Sequence, residues 1–239
     1  MRFADLKGLC MKHVAIVLAG GKGSRMNSDI PKQYMELMGK PVLYYSLKAF
    51  EESDIDAIVL VVGKGEIDYC RKNIVERYGI KKVVSVVEGG SERYYSVLNG
   101  LRAISGCDYV YVHDGARPCV SSGIIRKCLD EVQIYKACVA AVPVKDTIKV
   151  ADDNGFAVET PDRSLLWQIQ TPQCFEYSLV KYAYEAMAVD DNRGNITDDA
   201  MVVEKYTDAR VKMTKSEYEN IKITTPEDIM IAESFLNKH

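Results

Sequence analysis

Five short runs of apolar and β-branched residues, Val14–Ala19, Ala57–Val62, Lys82–Val87, Tyr109–His113 and Cys138–Val144, alternate with stretches of helical spacing at about 41–53, 66–78, 92–104 and 121–136. A near-continuous apolar run marks a strand covered on both faces. An amphipathic helix between two such strands makes them parallel neighbours joined by a right-handed crossover. The chain is thereby confined to an α/β fold, a Rossmann-like, mainly parallel twisted sheet with helices on both faces. Ligands of such sheets sit at the carboxyl ends of the strands. Gly20–Arg25, Gly89–Arg93 and Asp114–Arg117 follow the first, third and fourth runs and fall at those ends.

Beyond Val144 the rhythm breaks. Residues 145–166 are polar, carry Asp152-Asp153-Asn154-Gly155 as a turn signal and have short alternating flanks, which predicts a protruding β-hairpin arm. A lone hairpin cannot bury both of its faces, so a homodimer with the arm on its partner is expected. The remainder predicts helices near 176–189 and 197–205, strands near 210–214 and 220–224, and a last helix opening at Thr225-Pro226-Glu227-Asp228. A capping hydroxyl, a first-turn proline and two carboxylates all fit an N-terminus there. With 239 residues, 47% hydrophobic and 27% charged, the expectation is a single domain spanning 1–239 with 145–166 as a dimerisation arm.

A net charge of −3 argues against nonspecific nucleic-acid binding, so any anion site must be a local basic pocket. Seven cysteines, at 10, 70, 107, 119, 128, 138 and 174, form no Cys-x-x-Cys pair and are accompanied by three histidines. This gives zinc or iron–sulfur ligation little support and fits reduced core cysteines of a cytoplasmic protein. No apolar run approaches the length of a membrane span, and Met1 to Lys12 lacks the apolar stretch of an export signal.

The first apolar run empties into Ala19-Gly20-Gly21-Lys22-Gly23-Ser24-Arg25-Met26, followed by Pro31-Lys32-Gln33-Tyr34. Three glycines in four positions let backbone amides approach a phosphate chain, and Arg25 and Lys32 add positive charge. It is not a Walker A loop, because no Gly-Lys-Ser/Thr closes it, and Met26 replaces the third glycine of a dinucleotide fingerprint. Taken alone, the loop leaves a tight strand-to-helix turn with solvated basic side chains as the lesser reading.

Eight motifs in order extend the argument: Leu18–Met26, Pro31–Tyr34, Gly-Gly-Ser-Glu-Arg-Tyr-Tyr-Ser-Val (89–97), His-Asp-Gly-Ala-Arg-Pro (113–118), Pro-Val-Lys-Asp-Thr-Ile-Lys (143–149), Asp-Arg-Ser-Leu-Leu-Trp-Gln-Ile-Gln-Thr-Pro-Gln (162–173), Ile-Thr-Asp-Asp-Ala (196–200) and Asn-Ile-Lys-Ile-Thr-Thr-Pro-Glu-Asp (220–228). With these the chain resembles, over nearly its whole length, the 2-C-methyl-D-erythritol 4-phosphate cytidylyltransferases of nonmevalonate isoprenoid synthesis. The resemblance implies a sheet of the nucleotide-diphospho-sugar transferase type and transfer of a cytidylyl group from CTP to a polyol phosphate, with release of pyrophosphate. A ribitol-5-phosphate cytidylyltransferase is the alternative within the same class. A general sugar-1-phosphate nucleotidyltransferase or a noncatalytic nucleotide-binding relative is less favoured by the later motifs.

Such a reaction brings a phosphomonoester, largely dianionic near neutral pH because its second pKa is about 6, against a polyanionic triphosphate. Repulsion is the obstacle, so cations and a divalent ion such as Mg²⁺ on the phosphate oxygens are what the chemistry needs. The resemblance implies catalytic roles for Arg25, Lys32, Arg163 and Lys222. It implies nucleotide contacts through Ala19, Gly20, Gly21 and Gly23, with Lys22 contributing its backbone, and base recognition by Gly90, Ser91 and Ser96. Many relatives carry aspartate where this chain has Ser91. Asp114, Arg117, Thr147, Thr171 and Thr197 are the implied substrate contacts, Thr147 and Arg163 reaching across the dimer, and Asp114 also stands near the metal. Arg93 is read as a brace of its loop, and His113 as a packed strand-end histidine. The pairs Tyr44-Tyr45 and Tyr94-Tyr95 are read as helix packing rather than a base-stacking surface.

Overall fold

The computed structural model describes residues 12–21 and 30–237. In chain order the first half runs β1 (His13–Ala19), a 3-10 turn at Lys32–Tyr34, the short pair β2 (Glu36–Leu37) and β3 (Lys40–Pro41), α1 (Val42–Glu51), β4 (Ala57–Val62), α2 (Ile67–Cys70), β5 (Val83–Glu88), α3 (Arg93–Arg102) and β6 (Tyr109–Asp114). The second half runs α4 (Ser122–Tyr135), β7 (Ala137–Pro143), β8 (Val150–Ala151), β9 (Ala157–Glu159), β10 (Trp167–Glu176), α5 (Tyr177–Val189), α6 (Asp199–Tyr206), β11 (Lys212–Lys215) and α7 (Glu227–Leu236). Seven strands form one sheet in the order β11-β7-β10-β6-β1-β4-β5. All its pairings are parallel except those of β10, which lies antiparallel to both β6 and β7.

The period-2 alternation of side chains sorts the central strands onto two faces. Ala15, Val17 and Ala19 of β1 face α1, α2 and α4, packing with Leu43, Leu47, Phe50, Ile74 and Ile124. Val14 and Ile16 face α3, α5 and α6, with Val97, Leu101, Tyr184 and Val203. All six residues of β4 are buried, which is why that segment reads as an unbroken apolar run. Each large side chain buried this way contributes on the order of 1.5–3 kcal/mol relative to exposure.

Four features depart from the sequence expectation. Strand β10 was not foreseen, because Gln168, Gln170, Thr171, Pro172 and Gln173 make it look like a polar loop and its ladder shifts register between Ile169 and Gln173. The expected strand at 220–224 is not one: its apolar Ile221 and Ile223 pack against Leu37 and Val42 in a small separate cluster, and it is tied to the β6 loop by Ile223 N donating to Ala116 O at 2.8 Å. The helix expected at 66–78 widens after Cys70 into a π-type turn over Arg71–Glu76. No side chain caps the start of α7, where a threonine hydroxyl was expected; instead the Asp228 carboxylate in its first turn reaches back to accept from Thr224 N and Thr225 N at 2.7 and 2.9 Å, fixing the chain that leads into the helix.

The 145–166 segment does form a hairpin, though only Val150–Ala151 and Ala157–Glu159 pair. Asp152 closes its tip, accepting from Asn154 N and Phe156 N, and Gly155 adopts φ +84°, a backbone region that glycine enters without strain. Every residue from 145 to 160 is exposed. No helix among the described residues is long and apolar enough to cross a membrane.

Candidate active site

The carboxyl ends of β1, β4, β5 and β6 open on one edge of the sheet, and β6 ends at Asp114. The chain then turns through Gly115, whose amide donates to Leu18 O at 2.8 Å, so close that an added Cβ would stand 2.9 Å from that oxygen and 2.8 Å from Leu43 Cδ1. Ser46 of α1 lies under the same turn, its hydroxyl 3.1 Å from the carbonyls of Gly115 and Arg117. A buried glycine turn with its carbonyls satisfied fixes the direction of Asp114.

Around Asp114 three cations converge. Lys222 Nζ lies 2.8 Å from Oδ2, Arg93 Nε 3.2 Å from Oδ1, and Arg117 Nε 3.9 Å from Oδ2. Burial opposes ionisation of Asp114, but the charges of Arg93, Lys222 and Arg117 outweigh it and hold its carboxyl well below the usual carboxylate range. The cations are themselves anchored. Arg93, in the first turn of α3, grips Asp199 of α6 with both guanidinium nitrogens at 2.8 Å, and the Tyr184 hydroxyl also donates to Asp199. Burial works against the Arg93 charge, yet Asp199 and Asp114 raise its pKa well above normal. Arg117 Nη1 donates to Asn220 O at 2.8 Å, and Asn220 Nδ2 donates in turn to Thr171 O and Gln170 Oε1.

The polar residues of β10 thus have structural work at this edge. Gln173 Oε1 accepts from the amides of Asp199 and Ala200, seating the start of α6. Thr171 Oγ1 accepts from Asp114 N at 3.1 Å and lies 3.0 Å from His113 Nδ1. With its lone pair facing that amide, the hydroxyl donates to Nδ1, which leaves the His113 proton on Nε2, 3.3 Å from Arg117 O. Burial pushes the His113 pKa down to about 3. His113 is therefore a neutral strut, as expected of a packed strand-end histidine.

The 3-10 turn delivers Lys32, whose Nζ donates at 3.0 Å to the carbonyl of Ile223, the residue after Lys222. Buried Gln33 Nε2 donates to Ala19 O at 2.6 Å and pins this turn to the end of β1. Gly20 passes so near β4 that an added Cβ would lie 3.2 Å from the Val62 carbonyl, whereas Gly21 faces open space. At the end of β5, Gly90 N donates to Ser96 Oγ, and that hydroxyl donates to Glu92 O, closing a tight turn in which a Cβ on Gly90 would collide with Tyr95. Ser91 is exposed at its tip.

The described edge therefore assembles Ala19, Gly20, Gly21, Lys32, Gly90, Ser91, Ser96, Asp114, Arg117 and Lys222. Thr171 is buried and spends its hydroxyl on Asp114 and His113. Thr197 is exposed and does not cap α6; Asp198 does, accepting from Met201 N at 2.9 Å. Thr147 and Arg163 lie on exposed arm segments, Arg163 Nη1 donating to Lys145 O at 2.9 Å, and neither touches the Asp114 cluster. Lys22, Gly23 and Arg25 lie outside the described residues. Sequence reasoning missed the link between Arg93 and Asp199, although both stand in the quoted motifs; nothing in their spacing pairs residues 106 positions apart. It also missed that Cys128, Cys138 and Cys174 meet in the core.

A mainly parallel α/β sheet whose strand ends collect lysines and arginines around the ionised Asp114 carboxylate defines the class of nucleotide- and phosphate-handling transferases. Residues 13–238 match the family model described as 2-C-methyl-D-erythritol 4-phosphate cytidylyltransferase, and the chain belongs to that family. Proteins of that name from Lachnospira eligens and Lachnoclostridium phytofermentans are 55% and 52% identical to it, over 94% and 95% of this chain and 99% and 97% of theirs. The crystal structure of 4-diphosphocytidyl-2C-methyl-D-erythritol synthase from Anaerococcus prevotii is 35% identical and superposes with a TM-score of 0.82, covering 95% of this chain and 96% of that one.

Proposed function

We propose that this chain transfers a cytidylyl group from CTP to 2-C-methyl-D-erythritol 4-phosphate, giving 4-diphosphocytidyl-2-C-methyl-D-erythritol and pyrophosphate. The observation that carries this reading is the anchored collar of Lys222, Arg93 and Arg117 on Asp114 at the strand ends of a chain in this family. An acceptor phosphate oxygen attacks the α-phosphorus of CTP, the new P–O bond forms, and the bond to pyrophosphate breaks. The acceptor needs no strong base, since it arrives ionised. What the protein supplies is charge and alignment.

In this reading Arg25 and Lys32 take the triphosphate and the charge that grows on the α-phosphate, and Lys222 lies over the phosphates. Ala19, Gly20, Gly21 and Gly23 follow the nucleotide with their backbone, while the Gly90–Ser96 turn with Ser91 reads the cytosine edge. Asp114, ionised throughout the neutral range, accepts hydrogen bonds from the acceptor hydroxyls, and Arg117 steadies it. Thr171 serves the site by orienting Asp114, and exposed Thr197, just before α6, donates to a substrate oxygen. Among the described residues no trio of histidine, cysteine or acidic ligand atoms gathers at this edge. A hard divalent cation such as Mg²⁺ would be held here by Asp114 together with oxygens of the substrate phosphates. When bound, it would screen the phosphate oxygens and draw charge off the reacting phosphorus.

Exposed Phe156, Val158 and Leu165 on the arm support a homodimer in which Thr147 and Arg163 of one subunit reach the acceptor phosphate in the other. We also propose one domain over 1–239, the arm at 145–166, and a cytoplasmic enzyme. Pyrophosphate release with CTP and Mg²⁺, measured for methylerythritol phosphate against ribitol 5-phosphate, tests the assignment. Turnover of the ribitol ester at an equal or higher rate would reverse it.

A further inference from the structure

Away from the strand ends, three cysteines meet between α4 and the sheet. Cys138 of β7 and Cys174 of β10 are directly opposed in the antiparallel ladder, and Cys128 of α4 faces them. The three Sγ atoms all lie within 4.8 Å of one another, and each residue is fully buried. The proposed transfer reaction uses none of them. Core cysteines commonly act as small apolar side chains, but three thiols aimed at one point can also share a guest. At a bond length to sulfur of about 2.3 Å, three sulfurs on a pyramidal trivalent centre stand roughly 3.4 Å apart. This trio has to draw in from separations of up to 4.8 Å to hold one.

Charge selects the guest. Tyr111, Leu129, Val132 and Ala140 belong to the same buried cluster and offer no formal charge to balance an anion. Three thiolates on a monovalent or divalent ion would leave net negative charge in this apolar setting, which is costly. A trivalent centre with three thiolates is neutral. We propose that Cys128, Cys138 and Cys174 form a trithiol site for trivalent arsenic, taken up as arsenous acid. Three S–H and three As–OH bonds break, three As–S bonds form and three waters leave, with no change in the oxidation state of arsenic or sulfur. The incoming oxyacid is uncharged, so it enters when α4 lifts locally from the sheet, and the filled site then pins α4 to β7 and β10.

The test uses the full, reduced chain incubated with sodium arsenite. X-ray absorption on the wild-type protein should show arsenic with three sulfur neighbours and no oxygen. Native mass spectrometry should show one arsenic per chain, and the melting temperature should rise. Replacing Cys128, Cys138 or Cys174 singly by alanine should weaken binding by about 100-fold, the effective-concentration advantage of a third tethered thiol. Cys70→Ala and Cys119→Ala should leave it unchanged. Arsenic bound by fewer than three sulfurs in the wild type, or uptake that survives the three core substitutions, overturns the proposal. The absorption measurement needs no variant, so a substitution that fails to fold does not blunt it.

Discussion

The Asp114 cluster and the 145–166 arm are built on opposite principles. Around Asp114 every charge has a partner from another element: α3, α6, the β6 loop and the segment before α7 all meet within one chain. The arm has hardly any such partners. Phe156 is 71% exposed and Leu165 76%, and Arg163 donates only to a nearby carbonyl. A region whose charges are paired within the chain, even with Arg117 Nε and Asn220 Oδ1 left without a hydrogen-bond partner, can be understood from one polypeptide; a region with apolar side chains in water implies a surface supplied from elsewhere.

The largest effect should come from breaking the first region at its root. Asp199→Ala leaves the partly buried Arg93 guanidinium short of its main counter-ion and should cost on the order of 3 kcal/mol in urea unfolding, the lower end for a broken buried pair because Arg93 keeps some solvent and Asp114. A loss below about 1 kcal/mol would mean that the cluster is not held as described. Lys222→Ala, at a partly exposed position, should keep the fold while turnover drops by about 10²–10³. Wild-type rates in that variant would remove the collar from the mechanism.

Arg163→Ala asks the same of the arm, with about a 10²-fold loss of turnover and an unchanged melting temperature. Mixing it with Lys222→Ala subunits should restore activity, since one hybrid site then holds both native residues. Failure to complement would place the arm's action within its own chain. Per unit, the effect expected from pH is smaller. His113 has a folded pKa of about 3 against an ordinary 6.5, so between those values the unfolded chain binds the extra proton and stability rises with pH by about 1.4 kcal/mol per unit. Asp114, with its folded pKa depressed, adds stability that is present above about pH 4 and lost as the pH falls further. His113→Gln should flatten the upper part of that profile; an unaltered slope would show that another group controls it. The smallest change belongs to Phe156→Ser combined with Val158→Ser. Stability of the isolated fold should shift by less than about 0.5 kcal/mol, while sedimentation should report the loss of dimers.

The parallel half of the sheet was legible because its strands are covered on both faces and therefore apolar throughout. Ala57–Val62 coincides with β4 residue for residue. The site loops were legible where glycine or charge clusters follow such runs, as at Gly20, Gly90 and Asp114. What could not be read was polar structure serving other polar structure. Gln170, Thr171 and Gln173 look like a loop because their amides and hydroxyl support the site, and Arg93 looks like a local brace because its main partner is distant in sequence. Ile221 and Ile223 misled in the other direction, their alternation serving a small satellite cluster and not a ladder.

The placement of β10 has a bearing on how the chain assembles. Strands β6 and β7 never touch; they are joined only through the ribbon Trp167–Glu176 laid between them. Residues 13–114 can align four parallel strands as they leave the ribosome, yet β7 has no neighbour on that side until β10 has been synthesised. Completion of the Asp114 edge therefore waits on a late segment, and a nascent chain halted before it would present β6 as an open seam.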